Sequence, residues 1–356
     1  MNVATAPEPD RLDGAPHPRE TRVLYGQDAA QADLLAAWNA GRFHQGWMLA
    51  GPRGIGKATL AWRLARFLLT DPPARAATLD PSPDHPALPR IQAQADPGLL
   101  VLRRPVNDRT GRLQTVITGE AARRLGPFFG LSAGGRRVVI VDAADELNPT
   151  AANAILKLLE EPPRDATLLL VAHQPARLLP TIRSRCRMLP LRTLGPADLA
   201  RAVAQAGGPS DVGGLAELAQ GSVGGALALA DEGAAIYATL VGLFGSGPMD
   251  AAAARRLAES CTGANRLDRA ALILEMIQRL LHRLARAGLR GPGAEAAPGE
   301  AAMLARLAPH DAAARGWAAL AQDLQAKAAH GMGVNVDPAA LIWDQLAAID
   351  AQARRV

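Results

Sequence analysis

The chain has 356 residues, 49% of them apolar and 21% charged, with a formal net charge of +5. That is a globular composition with room for more than one core. Two cysteines, Cys186 and Cys261, are too few for a disulfide scaffold or a four-cysteine zinc site, and no apolar run reaches the ~18 residues a membrane span needs.

All but three of the 39 basic residues are arginine, which permits nucleic-acid contact and equally suits a solvated surface. The opening stretch, "MNVATAPEPDRLDGAPHPRE", carries acids and prolines but no apolar core, so residues 1–20 read as a disordered tail and not as a signal peptide. The cysteine count makes a reducing, cytoplasmic compartment the expectation.

Short apolar runs then alternate with helical patterns, predicting an α/β domain over 21–193 with a mostly parallel sheet. "WMLA" (47–50) is the first strand and leads into "GPRGIGKAT" (51–59). Gly51, Gly56 and Lys57 fit a phosphate-binding loop, with Pro52 and Gly54 inside it. Glycines let backbone N–H groups curl round phosphate oxygens, the next helix offers its positive end, and Lys57 reaches the outer phosphates. Ala58 stands where a serine or threonine hydroxyl would hold magnesium. Thr59 is no substitute, since the next helical position points about 100° away.

The helix after the loop places Leu60, Leu64, Phe67 and Leu68 on one face. A Pro- and Ala-rich insertion between Asp71 and Pro97 reads as an irregular surface loop. "LLVL" (99–102), "VVIV" (138–141) and "TLLLVA" (167–172) are further strands. The second of these ends on Asp142, the position of a metal-associated acid in loop NTPases. Ala143 follows where a water-orienting glutamate is usual; Asp145 and Glu146 lie three and four residues past Asp142.

"AANAILKLLE" (151–160) is a helix with Ala151, Ile155, Leu158 and Leu159 on one face, stopped by prolines after Glu161. "TIRSRCRMLPL" (181–191) clusters Arg183, Arg185 and Arg187 at the end of the sheet domain, where a guanidinium could clamp a neighbour's γ-phosphate from the side or simply face solvent. After about residue 193 strand signals stop. A small helical stretch, 194–240, precedes an all-helical region, 241–356, containing the stripe Leu267, Ala270, Leu274, Ile277, Leu281 and Leu284. "RGPGAEAAPGE" (290–300) reads as a loop, and Asp337-Pro338 as the cap and first residue of the last helix.

Together "GRFHQGWMLAGPRGIGKATLA", "VVIVDAADELNPTAANAILKLLEEPP" and "LPTIRSRCRMLPL" resemble the clamp-loader family of the AAA+ ATPases, most strongly over 24–193. The resemblance implies a RecA-like sheet domain, a helical lid (194–240) and a helical collar (241–356) that joins five subunits in an open ring. In that ring the partners are the subunits delta and tau/gamma, with the sliding clamp and primed DNA met through the assembly, and no membrane is involved.

The family's ATPase subunits carry an arginine in a GS-x-R lid pattern; "GSVGGAL" (221–227) has Gly224 there. Ala58, Ala143 and Gly224 are three losses, while the Ser-Arg-Cys arginine of the family, Arg185, is kept. The resemblance therefore implies a non-hydrolysing subunit that donates Arg185 in trans. It needs no cofactor of its own, ATP could be held at 51–59 without hydrolysis, and no zinc is expected, since 70–95 lack cysteine. An active ATPase and a DNA-binding protein using the arginine-rich surface remain the alternatives at this point.

Overall fold

Four apolar runs form strands buried along their whole length: β1 (Gly46–Ala50), β2 (Leu99–Leu102), β3 (Arg137–Asp142) and β4 (Ala166–Ala172). Unbroken burial is what a parallel strand covered on both faces requires. A fifth strand, β5 (Arg187–Pro190), buries only Leu189. The order is β2-β3-β4-β1-β5, with every neighbouring pair parallel. In register, Ala50 faces Ala172 and Asp142 faces Val171, so the ends of β1, β3 and β4 meet at one edge of the sheet. Ligands of open α/β sheets sit at that edge.

The structure is a computed structural model that describes the chain except residues 1–7, 12–14, 22, 108–110, 112, 131–134, 210–211, 231, 246, 262–265 and 335. It divides into two compact units, Met1–Ser210 with Gly221–Gly225, and Asp211–Gln220 with Ala226–Val356. The expected lid segment, 194–240, is thus shared between the two units and is not a third body. The first unit holds α1 (Asp28–Asn39), α2 (Lys57–Leu68), α3 (Ala87–Gln92), α4 (Gly119–Arg123), α5 (Leu125–Gly130), α6 (Pro149–Glu160), α7 (Pro180–Ser184) and α8 (Pro196–Gln205). Helix α2 buries Leu60, Leu64, Phe67 and Leu68, as its spacing predicts. Ala151 and Ile155 of α6 are buried, while Leu158 and Leu159 are only partly so.

Two sequence expectations change in this unit. The insertion after Asp71 is not wholly irregular: it contains α3 and buries Leu79, Ala87 and Ile91, apolar anchors among the prolines. Nor are the described residues of 1–20 a free tail. His17 is fully buried, its ring meets Trp62 edge-on at 5.8 Å, and its Nε2 lies 3.1 Å from Asp10 Oδ2. Arg103 donates to Asp10 at 2.8 Å and Arg19 to Glu8 at 2.6 Å. Glu8 and Asp10, two of the acids that suggested disorder, are ion-paired to Arg103 of the domain.

The second unit is helical: α9 (Gly213–Ala219), α10 (Val223–Leu229, its first turn counted with the first unit), α11 (Gly233–Phe244), α12 (Ala251–Glu259), α13 (Arg266–Arg290), α14 (Glu300–Leu307), α15 (Asp311–Gly333) and α16 (Pro338–Ala353). Helix α13 packs against α11, α14, α15 and α16. Its stripe is buried from Ala270 to Leu284, but Leu267, in the first turn, is 50% exposed. The Asp337 side chain caps α16 by accepting from the Ala340 N–H at 3.2 Å, and Pro338 takes the first position. Among the described residues no single helix is long and apolar enough to cross a membrane.

Candidate functional site

The loop between β1 and α2 has the shape a phosphate needs. Gly51, Gly54 and Gly56 all have positive φ (149°, 74° and 98°), conformations that favour glycine. A Cβ at Gly54 would also lie 2.3 Å from Ser222 Oγ. Helix α2 starts at Lys57 with no side-chain cap, so its first N–H groups point into the loop as an anion site. Lys57 is 3% exposed, and its Nζ donates to the Gly51 carbonyl at 2.7 Å and to that of Pro52. Burial pulls its pKa down to about 8, partly offset by Asp142 and Asp145, so it keeps most of its charge at neutral pH.

The acids at the strand ends are poorly placed for metal chemistry. Asp142 is buried, and desolvation, with Asp10 adding repulsion, raises its pKa to about 7 despite the attraction of Lys57. Ala143 has no side-chain oxygen to orient water. Asp145 and Glu146 lie in a 3₁₀ turn, Ala144–Glu146, and both are engaged. Asp145 Oδ1 accepts the His173 N–H at 2.9 Å. Glu146 is held by Arg53 at 2.7 Å and Arg104 at 3.0 Å. Thus the donors fit a polyphosphate, but the residues do not fit its magnesium ion: Ala58 offers no oxygen, and Glu146 is already neutralised by two arginines.

The segment 221–225 closes over the loop apex. Val223 and Gly224 donate their N–H groups to the Gly54 carbonyl at 2.8 and 3.3 Å, and Ser222 Oγ donates to Arg53 O at 2.9 Å. Gly224 puts backbone, not a guanidinium, against the loop.

Three residues in or beside the loop escape a reading of spacing alone. Arg53 and Arg104 act by pairing with Glu146, a contact between distant segments. His173 follows β4 directly, which is its only sequence signal; burial and the nearby Lys57 pull its pKa down to about 4 and keep it neutral. Its Nδ1 is buried without a hydrogen-bond partner among the described residues.

The three arginines near β5 differ in what they touch. Arg187, though exposed, lies over the Trp47 ring at 5.0 Å. Arg183 makes no ion pair among the described residues. Arg185, in the C-cap of α7, donates from Nη1 to Thr181 O at 3.2 Å and lies 3.1 Å from Glu160 Oε1 through Nη2. Its side chain is 39% exposed, far from the commitment of a core residue.

The raised pKa of Asp142 has a consequence for stability. A carboxyl that titrates at about 7 when folded and at 3.8 when fully solvated binds more protons in the native state across that window. Stability from this group therefore falls as pH rises through about 4 to 7. Asp142→Asn is expected to leave the chain unchanged below pH 4 and to stabilise it by about 2–4 kcal/mol above pH 7. Thermal unfolding across that pH range checks this.

A parallel sheet in this order, with a phosphate loop between β1 and α2, an acid at the end of β3 and an arginine cluster before β5, defines a P-loop domain of the AAA+ kind. Residues 26–195 match the family described as "DNA polymerase III, delta subunit". It is 42% identical over 142 residues to the DNA polymerase III subunit delta' of Pseudomonas aeruginosa, covering 39% of this chain and 40% of the relative. To the Escherichia coli subunit delta' it is 33% identical over 163 residues, 44% of each.

The gamma/tau subunit of Mycobacterium tuberculosis is 31% identical over 182 residues, 51% of this chain and 30% of the relative. The matches therefore span less than half of these relatives' length. Among solved structures, the RuvB Holliday junction branch migration motor of Thermotoga maritima aligns at a TM-score of 0.40 and 15% identity, over 77% of this chain and 80% of that one.

Proposed function

We propose that this chain is a non-hydrolysing clamp-loader subunit of DNA polymerase III. In this reading it completes a ring with delta and tau/gamma subunits and presents Arg185 to the ATP site of a neighbouring subunit while the sliding clamp is placed on primed DNA. The observation that carries the reading is that both acids after Ala143 are engaged: Asp145 accepts the His173 N–H, and Glu146 pairs with Arg53 and Arg104. With Ala58 and Ala143 as well, the pocket lacks the groups that hold the metal and align water, and phosphoryl transfer depends on that positioning. Arg185, by contrast, is partly exposed, and its guanidinium makes one hydrogen bond, from Nη1 to Thr181 O, and one ion pair, through Nη2 to Glu160, so donors remain for phosphate oxygens.

A second, compatible reading concerns the chain's own loop. The glycine conformations, the uncapped start of α2 and the charged Lys57 support a nucleotide held without cleavage, its phosphates taking Lys57 from the Gly51 and Pro52 carbonyls. One experiment addresses both. The isolated chain, given a labelled ATP analogue, is expected to bind it equally with and without magnesium, to lose it on Lys57→Ala, and to turn over no ATP above background. Turnover by the isolated chain that Lys57→Ala abolishes would replace the first reading with an active ATPase.

A further inference from the structure

The proposed role of Arg185 leaves open what aims its side chain. Arginine is long and samples many rotamers, and a guanidinium offered across an interface must be restrained before the partner's phosphate arrives. Arg185 has two restraints, the Thr181 carbonyl at 3.2 Å and Glu160 Oε1 at 3.1 Å. Thr181 belongs to the same short helix, α7; Glu160 ends a different one, α6.

Glu160 contributes little to its own helix. It is the last residue of α6, where the helix dipole is negative and a carboxylate is disfavoured. The side chain is 43% exposed and Arg185 is its only ion-pair partner among the described residues, so the pair is not a core contact that keeps the fold together. What the carboxylate does instead is meet Nη2 from outside α7, leaving Nε and Nη1 without contact to it.

We infer that Glu160 is a positioning residue for Arg185: it holds the guanidinium at the surface in the orientation used on a neighbour's triphosphate. This rests on the trans-acting role proposed above for Arg185. The pair does not park the arginine out of use, because the contact is an ion pair to one terminal nitrogen and the side chain stays 39% exposed.

The test uses the assembly reconstituted with delta and tau/gamma subunits, sliding clamp and primed DNA, reading ATP turnover and single-turnover hydrolysis. Glu160→Ala is expected to lower kcat by about 3–10-fold with KM for ATP within twofold of wild type, an effect on positioning and not on nucleotide binding. Glu160→Gln, which keeps an oxygen acceptor, should fall between the two. In an Arg185→Ala background, Glu160→Ala should cause no further loss, because nothing remains for it to aim.

If Arg185→Ala lowers turnover but Glu160→Ala matches or exceeds wild type, the positioning role is wrong and the trans role survives. An equal loss from Glu160→Ala with and without Arg185 would make Glu160 merely structural and also overturn it. If Arg185→Ala itself changes nothing, the underlying reading fails and this inference fails with it.

Discussion

Replacing Arg185 by alanine is expected, on the proposed trans-acting role, to slow ATP cleavage at the neighbouring site by about 10³–10⁵-fold, the range typical of an arginine finger. That corresponds to about 4–7 kcal/mol of transition-state stabilisation. Arg185→Lys should recover only a small part, because an ammonium cannot match the planar fork that spans two phosphate oxygens. Assembly should survive, since the side chain is 39% exposed and contributes no core packing. Single-turnover hydrolysis in the reconstituted assembly, with subunit content checked by sizing, separates lost chemistry from lost assembly. The neighbouring arginines act as internal controls. Arg187→Ala removes the contact with Trp47 and should affect stability more than turnover, whereas Arg183→Ala should change neither strongly.

The largest stability effect is expected in the helical unit, at Glu300. This side chain is fully buried, as is nearly all of Arg283. Its Oε1 accepts from the Tyr237 hydroxyl at 2.6 Å and from Arg283 Nε, and its Oε2 from Arg283 Nη2 at 3.0 Å and from the Ala296 N–H. Arg283 also reaches Glu217 at 3.2 Å and the Ala294 carbonyl at 2.6 Å. Burial alone would pull the Arg283 pKa down, but its bonds to Glu300 reverse this and raise it; the Tyr237 pKa is pushed up by burial first and by Glu300 second.

Glu300→Ala leaves the buried guanidinium with only the partly exposed Glu217 and the Ala294 carbonyl, and breaking a buried pair this way costs about 3–5 kcal/mol. The midpoint for melting of this unit should drop by on the order of 10 °C. Replacing both partners with apolar residues, Arg283→Met with Glu300→Leu, should cost much less than Glu300→Ala alone, because no unpaired charge remains. Thermal melts of the full chain compare the three. If this unit is the collar that joins subunits, Glu300→Ala should also weaken assembly while leaving the sheet unit folded.

Much of the sheet is legible in the sequence because buried parallel strands announce themselves as unbroken apolar runs. β1 to β4 fall within a residue of "WMLA", "LLVL", "VVIV" and "TLLLVA". β5 does not read as a strand: at the sheet edge, with only Leu189 buried and Arg183, Arg185 and Arg187 leading into it, its apolar stretch is too short and too close to Pro190 to stand out. The glycine pattern likewise announces the loop, since its positive φ angles restrict the residue types allowed.

What spacing cannot reveal is contact between distant segments. Glu146 meets Arg53 across 93 positions, Asp10 meets Arg103 across the same interval, and the 221–225 segment reaches back to Gly54. These contacts turn acids that look free into spent ones and part of a tail into a packed segment. The helical unit shows the same limit on a smaller scale: the stripe on α13 is visible, but Leu267 is exposed because periodicity cannot tell where the packing partners of a helix begin.

A subunit that supplies a guanidinium to another subunit's triphosphate, and does no chemistry in its own pocket, is tested most directly by two substitutions. Arg185→Ala and Lys57→Ala, each in this chain only, are placed in otherwise identical reconstituted assemblies, and ATP cleavage is compared in a single turnover. The expected result is collapse with Arg185→Ala and a near-normal rate with Lys57→Ala. Collapse with Lys57→Ala beside an unchanged Arg185→Ala assembly would contradict it.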